Sequence, residues 1–243
     1  MTDQVTVVTG GSRGIGAAIV RRLTAEGHAV AIGYASDQAA AERLRAEVGE
    51  AGGRCVTVQG DTTVEGDVAR LFEAAATLGP VTGLVNNAGI TGKLGALAGQ
   101  PVADIRRVIE VNVFGYLLCS QYAARVLPAG GAIVNISSAA ATLGSPGEYV
   151  HYAASKAAVD AMTIGLSKEL GPAGIRVNAV APGTIYTDMH AAMGDPARPD
   201  RIGATTPLGR SGQPEEIAGA VAWLLGPDAS YTTGTVLRVA GGR

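Results

Sequence analysis

Val5-Thr6-Val7-Val8-Thr9 runs directly into Gly10-Gly11-Ser12-Arg13-Gly14-Ile15-Gly16, and the reading of this junction decides the fold. A short β-branched run is a strand, and the apolar pattern from residue 14 to 26 has helical spacing. The glycines of the turn let backbone N–H groups approach a phosphate at the helix N-terminus. Strand, glycine-rich turn and helix in that order open a βαβ unit, so a parallel sheet is expected.

The alternation continues to the end of the chain. Val5–Thr9, Ala29–Tyr34, Cys55–Gln59, Gly83–Asn86, Ala132–Ser137, Arg176–Ala181 and Val236–Val239 read as strands. Helical patterns lie near 14–26, 37–51, 65–78, 101–127, 150–171 and 214–225. Seven parallel strands with helices on both faces make a doubly wound α/β domain, expected to span residues 1–243 as one unit. The stretch 187–212, rich in Pro, Gly and Ala, breaks the alternation at the carboxyl end of a strand, where a long insertion is expected to be a substrate loop or lid.

Composition narrows the function. With 243 residues, 47% hydrophobic content and 35 glycines, the chain can bury a full core. A net charge of -2, with acids and bases interleaved, gives no electrostatic footprint for nucleic acid. Cys55 and Cys119 have no metal-ligand spacing and read as reduced thiols. The Val5–Val8 run is too short for a secretory leader, and no apolar stretch reaches membrane-spanning length, so a cytoplasmic location is expected.

Tyr152-Ala153-Ala154-Ser155-Lys156 puts a phenol and an ammonium one helical turn apart on one face. A cation near a tyrosine favours the phenolate, which makes Tyr152 a candidate proton carrier with a lowered pKa. Tyr149 has no such partner, since Ala153 stands four residues after it. Lysine is otherwise confined to Lys93 and Lys168.

In dinucleotide-binding sheets the second strand often ends in an acid that bonds the ribose hydroxyls and repels a 2′-phosphate. Here that position is Tyr34, followed by Ala35 and Ser36, and Arg13 offers a cation in the adjacent turn. NADP(H) is therefore expected over NAD(H).

Thr9 to Gly16, Asn86-Asn87-Ala88-Gly89, Asn112, Ser138, Tyr152 with Lys156, and Pro182-Gly183 together resemble the short-chain dehydrogenase/reductase family, in its order and close to its spacing over nearly the whole chain. The resemblance implies a Rossmann-type domain with strand order 3-2-1-4-5-6-7, assembled as a homotetramer through the two long helices and the C-terminal region. It implies Asn112, Ser138, Tyr152 and Lys156 as the catalytic set. Ser138 would orient the substrate oxygen, Lys156 would hold the nicotinamide ribose and tune Tyr152, and Asn112 would support a water that passes protons to Lys156. Ser138 is chosen over Ser137, whose side chain falls on the opposite face of an extended strand.

The implied cofactor contacts are Gly10, Ser12, Arg13, Gly14, Ile15 and Gly16 in the first turn and Tyr34 with Ser36 after the second strand. Asp61, with Thr62, falls at the adenine, and Asn87, Ala88 and Gly89 line the adenosine ribose. Pro182, Gly183, Ile185 and Thr187 fall at the nicotinamide end, beside Tyr152 and Lys156.

The expected activity is hydride transfer between a nicotinamide and a small carbonyl compound or secondary alcohol. The expected pocket walls, Thr91–Lys93, Ala139–Tyr149 and 187–205, are small or apolar, with Glu148, His151 and His190 as candidate polar contacts. The Pro146–Tyr152 and Ile185–His190 stretches look like a bacterial branch labelled glucose dehydrogenase-like. A 3-oxoacyl-[acyl-carrier-protein] reductase is the competing reading, with Arg106, Arg107 and Arg125 as a docking surface for an acidic carrier. Gly171-Pro172-Ala173-Gly174 lacks the arginine such reductases generally carry there. A non-catalytic NADP-binding sensor is expected to have a damaged catalytic set, whereas all four residues are present.

Overall fold

In the computed structural model, which describes residues 4–243, strands β1 (Val5–Val8), β2 (Ala29–Tyr34), β3 (Arg54–Gln59), β4 (Val81–Asn86), β5 (Ala132–Ile136), β6 (Arg176–Pro182) and β7 (Val236–Val239) form one sheet. Its order is 3-2-1-4-5-6-7 and every pairing is parallel, as the alternation required.

The helices between the strands are α1 (Gly14–Ala25), α2 (Gln38–Glu50), α3 (Glu65–Ala76), α4 (Val102–Ile109), α5 (Gly115–Val126), α6 (Ala140–Leu143), α7 (Val150–Leu170), α8 (Met189–Ala192), α9 (Arg198–Gly203) and α10 (Pro214–Leu225). Side-chain alternation splits the buried strands between two cores. Val8, Val30, Ile32 and Val134 pack against Ile19, Leu23, Ile217 and Val221 of α1 and α10. Val5, Val7, Ala31 and Ile133 pack against Val68, Leu71, Leu118 and Cys119 of α3 and α5 on the other face. Burial of central strands on both faces explains why β1 and β2 read as apolar runs with little polar alternation.

The sequence pattern missed one detail that positions the site. The helix expected over 101–127 is α4 and α5 joined by a π-helical turn, Glu110–Phe114, and Leu127 ends it in extended conformation before Pro128. Among the described residues no helix is long and apolar enough to cross a membrane.

Candidate active site

Neighbouring strands β1 and β4 send their connections to opposite faces of the sheet, which opens a crevice at their carboxyl ends. Thr9 and Asn87 lock its two lips together. The Thr9 hydroxyl accepts from the backbone N–H of Asn87 at 3.0 Å and of Ala88 at 3.1 Å, while the Asn87 amide donates to the carbonyls of Thr9 at 3.0 Å and Gly10 at 2.8 Å. This close approach explains two glycines. A Cβ on Gly16 would stand 2.2 Å from the Gly10 carbonyl, and one on Gly10, at φ +61°, would stand 2.8 Å from the Ala88 Cα.

The crevice continues into a cleft of about 590 Å³. Gly10, Ser12, Arg13, Gly14, Ile15 and Gly16 line one end with Tyr34, Ser36, Asp61 and Thr62, and Asn87, Ala88 and Gly89 line its middle. Ser138, Tyr152, Lys156, Pro182, Gly183, Ile185 and Thr187 line the other end. The exception among the expected residues is Asn112, which stands behind the wall.

At the outer end, the first turn of α1 holds no acidic residue and its N-cap, Arg13, makes no side-chain cap, which leaves the N–H groups free for an anion. Arg13 enters no ion pair among the described residues. Asp37, the acid nearest the end of β2, is engaged as the N-cap of α2, accepting from the Ala40 N–H at 2.9 Å. Asp61 is likewise engaged: it accepts from the Thr63 N–H and hydroxyl and pairs with Arg107.

At the inner end, β5 stops at Ile136, and the next two residues diverge. Ser137 is buried and its one hydroxyl proton goes to the Asp160 carboxylate, with the Lys156 carbonyl of α7 3.3 Å away. Ser138 faces the cleft, where its hydroxyl accepts from the Ala140 N–H at 3.1 Å and lies close enough to Tyr152 to act on its titration. The buried Lys156 ammonium donates to the Ile136 carbonyl at 2.7 Å and to the Tyr116 hydroxyl at 3.2 Å.

These contacts correct the expectation for Tyr152. Burial pushes the phenol up to about 12, with only the Ser138 hydrogen bond opposing it. Lys156 is drawn to the sheet side, 5.8 Å from the Tyr152 ring centre, and burial lowers its own value to about 7 despite Asp160 nearby. Desolvation outweighs the attraction between the two groups, so Tyr152 stands as a neutral phenol at neutral pH.

The π turn gives Asn112 its place. Its carbonyl oxygen accepts from the Ile90 N–H at 2.9 Å, and its amide donates to the Ile90 carbonyl at 2.8 Å and to the Ser155 hydroxyl at 3.0 Å. One side chain thus pins the loop after β4 to α7, a use in keeping with the occurrence of π turns at functional sites.

The segment 187–212 leaves and returns at one point, where Ile185 and Gly212 form an isolated parallel bridge. Sequence reading missed what fastens it. Arg198 of α9, only 4% exposed in its side chain, makes a bidentate pair with Glu148 at 2.6 and 2.7 Å. It also donates to the Tyr149 hydroxyl at 2.8 Å and lies over that ring. Tyr149 in turn meets Tyr152 edge-on, with ring centres 5.2 Å apart. Tyr149, with no lysine one turn on, is nonetheless a wall of the cleft.

All three expected polar contacts have a partner within the protein, though the Nδ1 atoms of His151 and His190 have none among the described residues. Besides Glu148, His151 bonds the Thr91 carbonyl at 3.0 Å and His190 bonds the Ile185 carbonyl at 2.9 Å. Ala139, Ala140, Leu143, Met189, Ala192 and Met193 line the inner end, with His190 among them.

A model of the family described as Enoyl-(Acyl carrier protein) reductase matches residues 10–243. The uncharacterized oxidoreductase YgfF of Escherichia coli is 46% identical, over 98% of this chain and 99% of its own length. A 3-oxoacyl-[acyl-carrier-protein] reductase of Synechocystis is 39% identical, over 100% of this chain and 97% of its own. Among solved structures, a blue fluorescent protein from a metagenomic library, in complex with NADPH, is 42% identical with a TM-score of 0.91, over 98% of this chain and 97% of that one.

Proposed function

The chain belongs to the short-chain dehydrogenase/reductase family, and from that premise we propose that it is an NADP(H)-dependent oxidoreductase acting on a small, largely apolar carbonyl compound or its secondary alcohol. The grouping of Ser138, Tyr152 and Lys156 at the inner end of the cleft carries this reading. NADPH, when bound, supplies the hydride. The outer end suits the phosphates, with free N–H groups at α1 for the pyrophosphate and, for the 2′-phosphate, an Arg13 unpaired among the described residues and no carboxylate among Tyr34, Ala35 and Ser36.

In the reducing direction Ser138 hydrogen-bonds the carbonyl oxygen and orients it, and Tyr152 gives that oxygen its proton. A phenol held neutral by burial is in the required form at neutral pH. Lys156 replenishes the proton from the sheet side, with Asn112 holding the Ile90 backbone beside it. In the oxidising direction Tyr152 must first lose its proton, so alcohol oxidation is expected to accelerate as pH rises.

The segment 187–212 acts as the lid. The Ala, Leu and Met side chains of the inner end favour an apolar substrate, with His190 Nδ1 left as a polar contact. For the carrier-protein reading, Arg107 is paired with Asp61 and Arg125 lies over Tyr122, which leaves Arg106 as the unengaged member of that surface. The chain assembles as a homotetramer: Phe114 of the π turn, Leu117 on α5 and Ile164 on α7 expose apolar side chains, and Trp223 and Tyr231 do so near the C-terminal strand.

The test follows NADPH and NADH absorbance with ketones, diketones, acetoacetyl thioesters and aldoses, with Tyr152→Phe as the blank. The substitution should lower turnover about 10²–10⁴-fold while NADPH still binds. Wild-type turnover in that variant refutes the reading, and a preference for thioesters over ketones favours the carrier-bound substrate.

A further inference from the structure

We propose that Tyr116, outside the expected catalytic set, is a positioning residue for Lys156: its hydroxyl, oriented by the Ile136 carbonyl, holds the lysine ammonium in place and favours its charged form. The inference rests on the role of Lys156 in the proposed function.

An ammonium has three N–H donors. Those of Lys156 reach the Ile136 carbonyl at 2.7 Å and the Tyr116 hydroxyl at 3.2 Å, which leaves one for the cleft that Lys156 lines. Tyr116 has a single proton, and it goes to the same Ile136 carbonyl at 3.1 Å. The hydroxyl therefore turns its lone pairs to Lys156 and acts as an acceptor. An acceptor of that kind favours ammonium over amine.

Tyr116 cannot serve as a counter-anion. It is 1% exposed on α5, and burial, with Tyr152 and Cys119 beside it, holds its phenol well above the usual range. The other groups that bear on Lys156 are Tyr152 and Asp160 on its own helix, with Arg238 of β7 acting on Asp160. Asp160 favours the charged lysine through space, whereas Tyr116 does so by direct contact. Its ring also lies against the ammonium, with the centre 4.8 Å from Nζ. A phenylalanine would fill the same volume, so the hydroxyl is the part that packing leaves unexplained. Because Lys156 titrates near 7, losing that acceptor changes its charge in the working range.

The chain holds only three lysines, Lys93, Lys156 and Lys168, which makes the test direct. The full-length protein labelled with ¹³Cε-lysine is titrated by NMR with and without Tyr116→Phe. The Lys156 midpoint should fall by about one pH unit, with Lys93 and Lys168 unmoved. In the same variant the alkaline limb of the kcat profile for carbonyl reduction should move to lower pH, with little change in carbonyl KM. An unaltered Lys156 midpoint overturns the inference. That readout needs no turnover, so it stands apart from the Tyr152→Phe result on which the proposed function depends.

Discussion

Arg198 and Glu148, fifty residues apart in sequence, close on each other through two parallel N–H···O bonds of 2.6 and 2.7 Å. The pair ties the 187–212 segment to the loop that leads into α7, and through Tyr149 it reaches the ring of Tyr152. The position of this segment and the orientation of the Tyr152 ring are therefore mechanically coupled.

Breaking the pair tests that coupling. Arg198→Ala should cost ~2–3 kcal/mol in urea unfolding, below the range for a fully enclosed pair because Glu148 is partly exposed. It should also raise carbonyl KM. Arg198→Lys should recover little, since an ammonium cannot make the fork. Stability and KM both unchanged would show that the lid is held elsewhere.

Glu148 also gives a pH signature. The Arg198 guanidinium holds its carboxyl below the usual glutamate range. A depressed value in the folded chain contributes stability that is present above the unfolded value and is lost as pH falls through the folded one. Glu148→Gln should flatten this acid limb of the stability profile, measured as melting temperature against pH.

At the other end of the cleft, Arg13→Ala should raise the KM for NADPH roughly 10–100-fold and leave that for NADH nearly unchanged. Tyr34→Asp should raise NADH use relative to NADPH, and an unchanged ratio in both variants would remove the case for a 2′-phosphate site. Tyr34 is 7% exposed, so melting temperature should be recorded beside the kinetics.

Asn112→Ala would strand the N–H and the carbonyl of Ile90. It should destabilise the chain by about 2–4 kcal/mol and lower kcat more than it raises KM. Light scattering should give four times the chain mass, and Leu117→Glu with Ile164→Glu should give a smaller species.

Legibility in the sequence depends on range. The Gly10–Gly16 turn and the short apolar strands are local, and they suffice for a parallel sheet, whose order came with the family resemblance. The divergence of Ser137 and Ser138 is likewise legible from strand alternation alone. Arg198 with Glu148 escapes because nothing local links two positions so far apart. The state of Tyr152 is misread because spacing on a helix registers a neighbouring charge but not desolvation. The π turn is invisible because one surplus residue leaves an apolar helical pattern nearly intact.

That surplus residue sets the chain's interests against each other. A π turn is a less regular path than the α-helix around it, and dropping one residue from 110–114 would restore an unbroken ladder from Val102 to Val126. It would also rotate everything before the deletion by roughly 100° relative to the helix beyond it, taking Asn112 from Ile90 or α5 from the sheet. Selection for a sturdier helix alone would therefore erase the site, and variants chosen only for thermal tolerance should be screened here first.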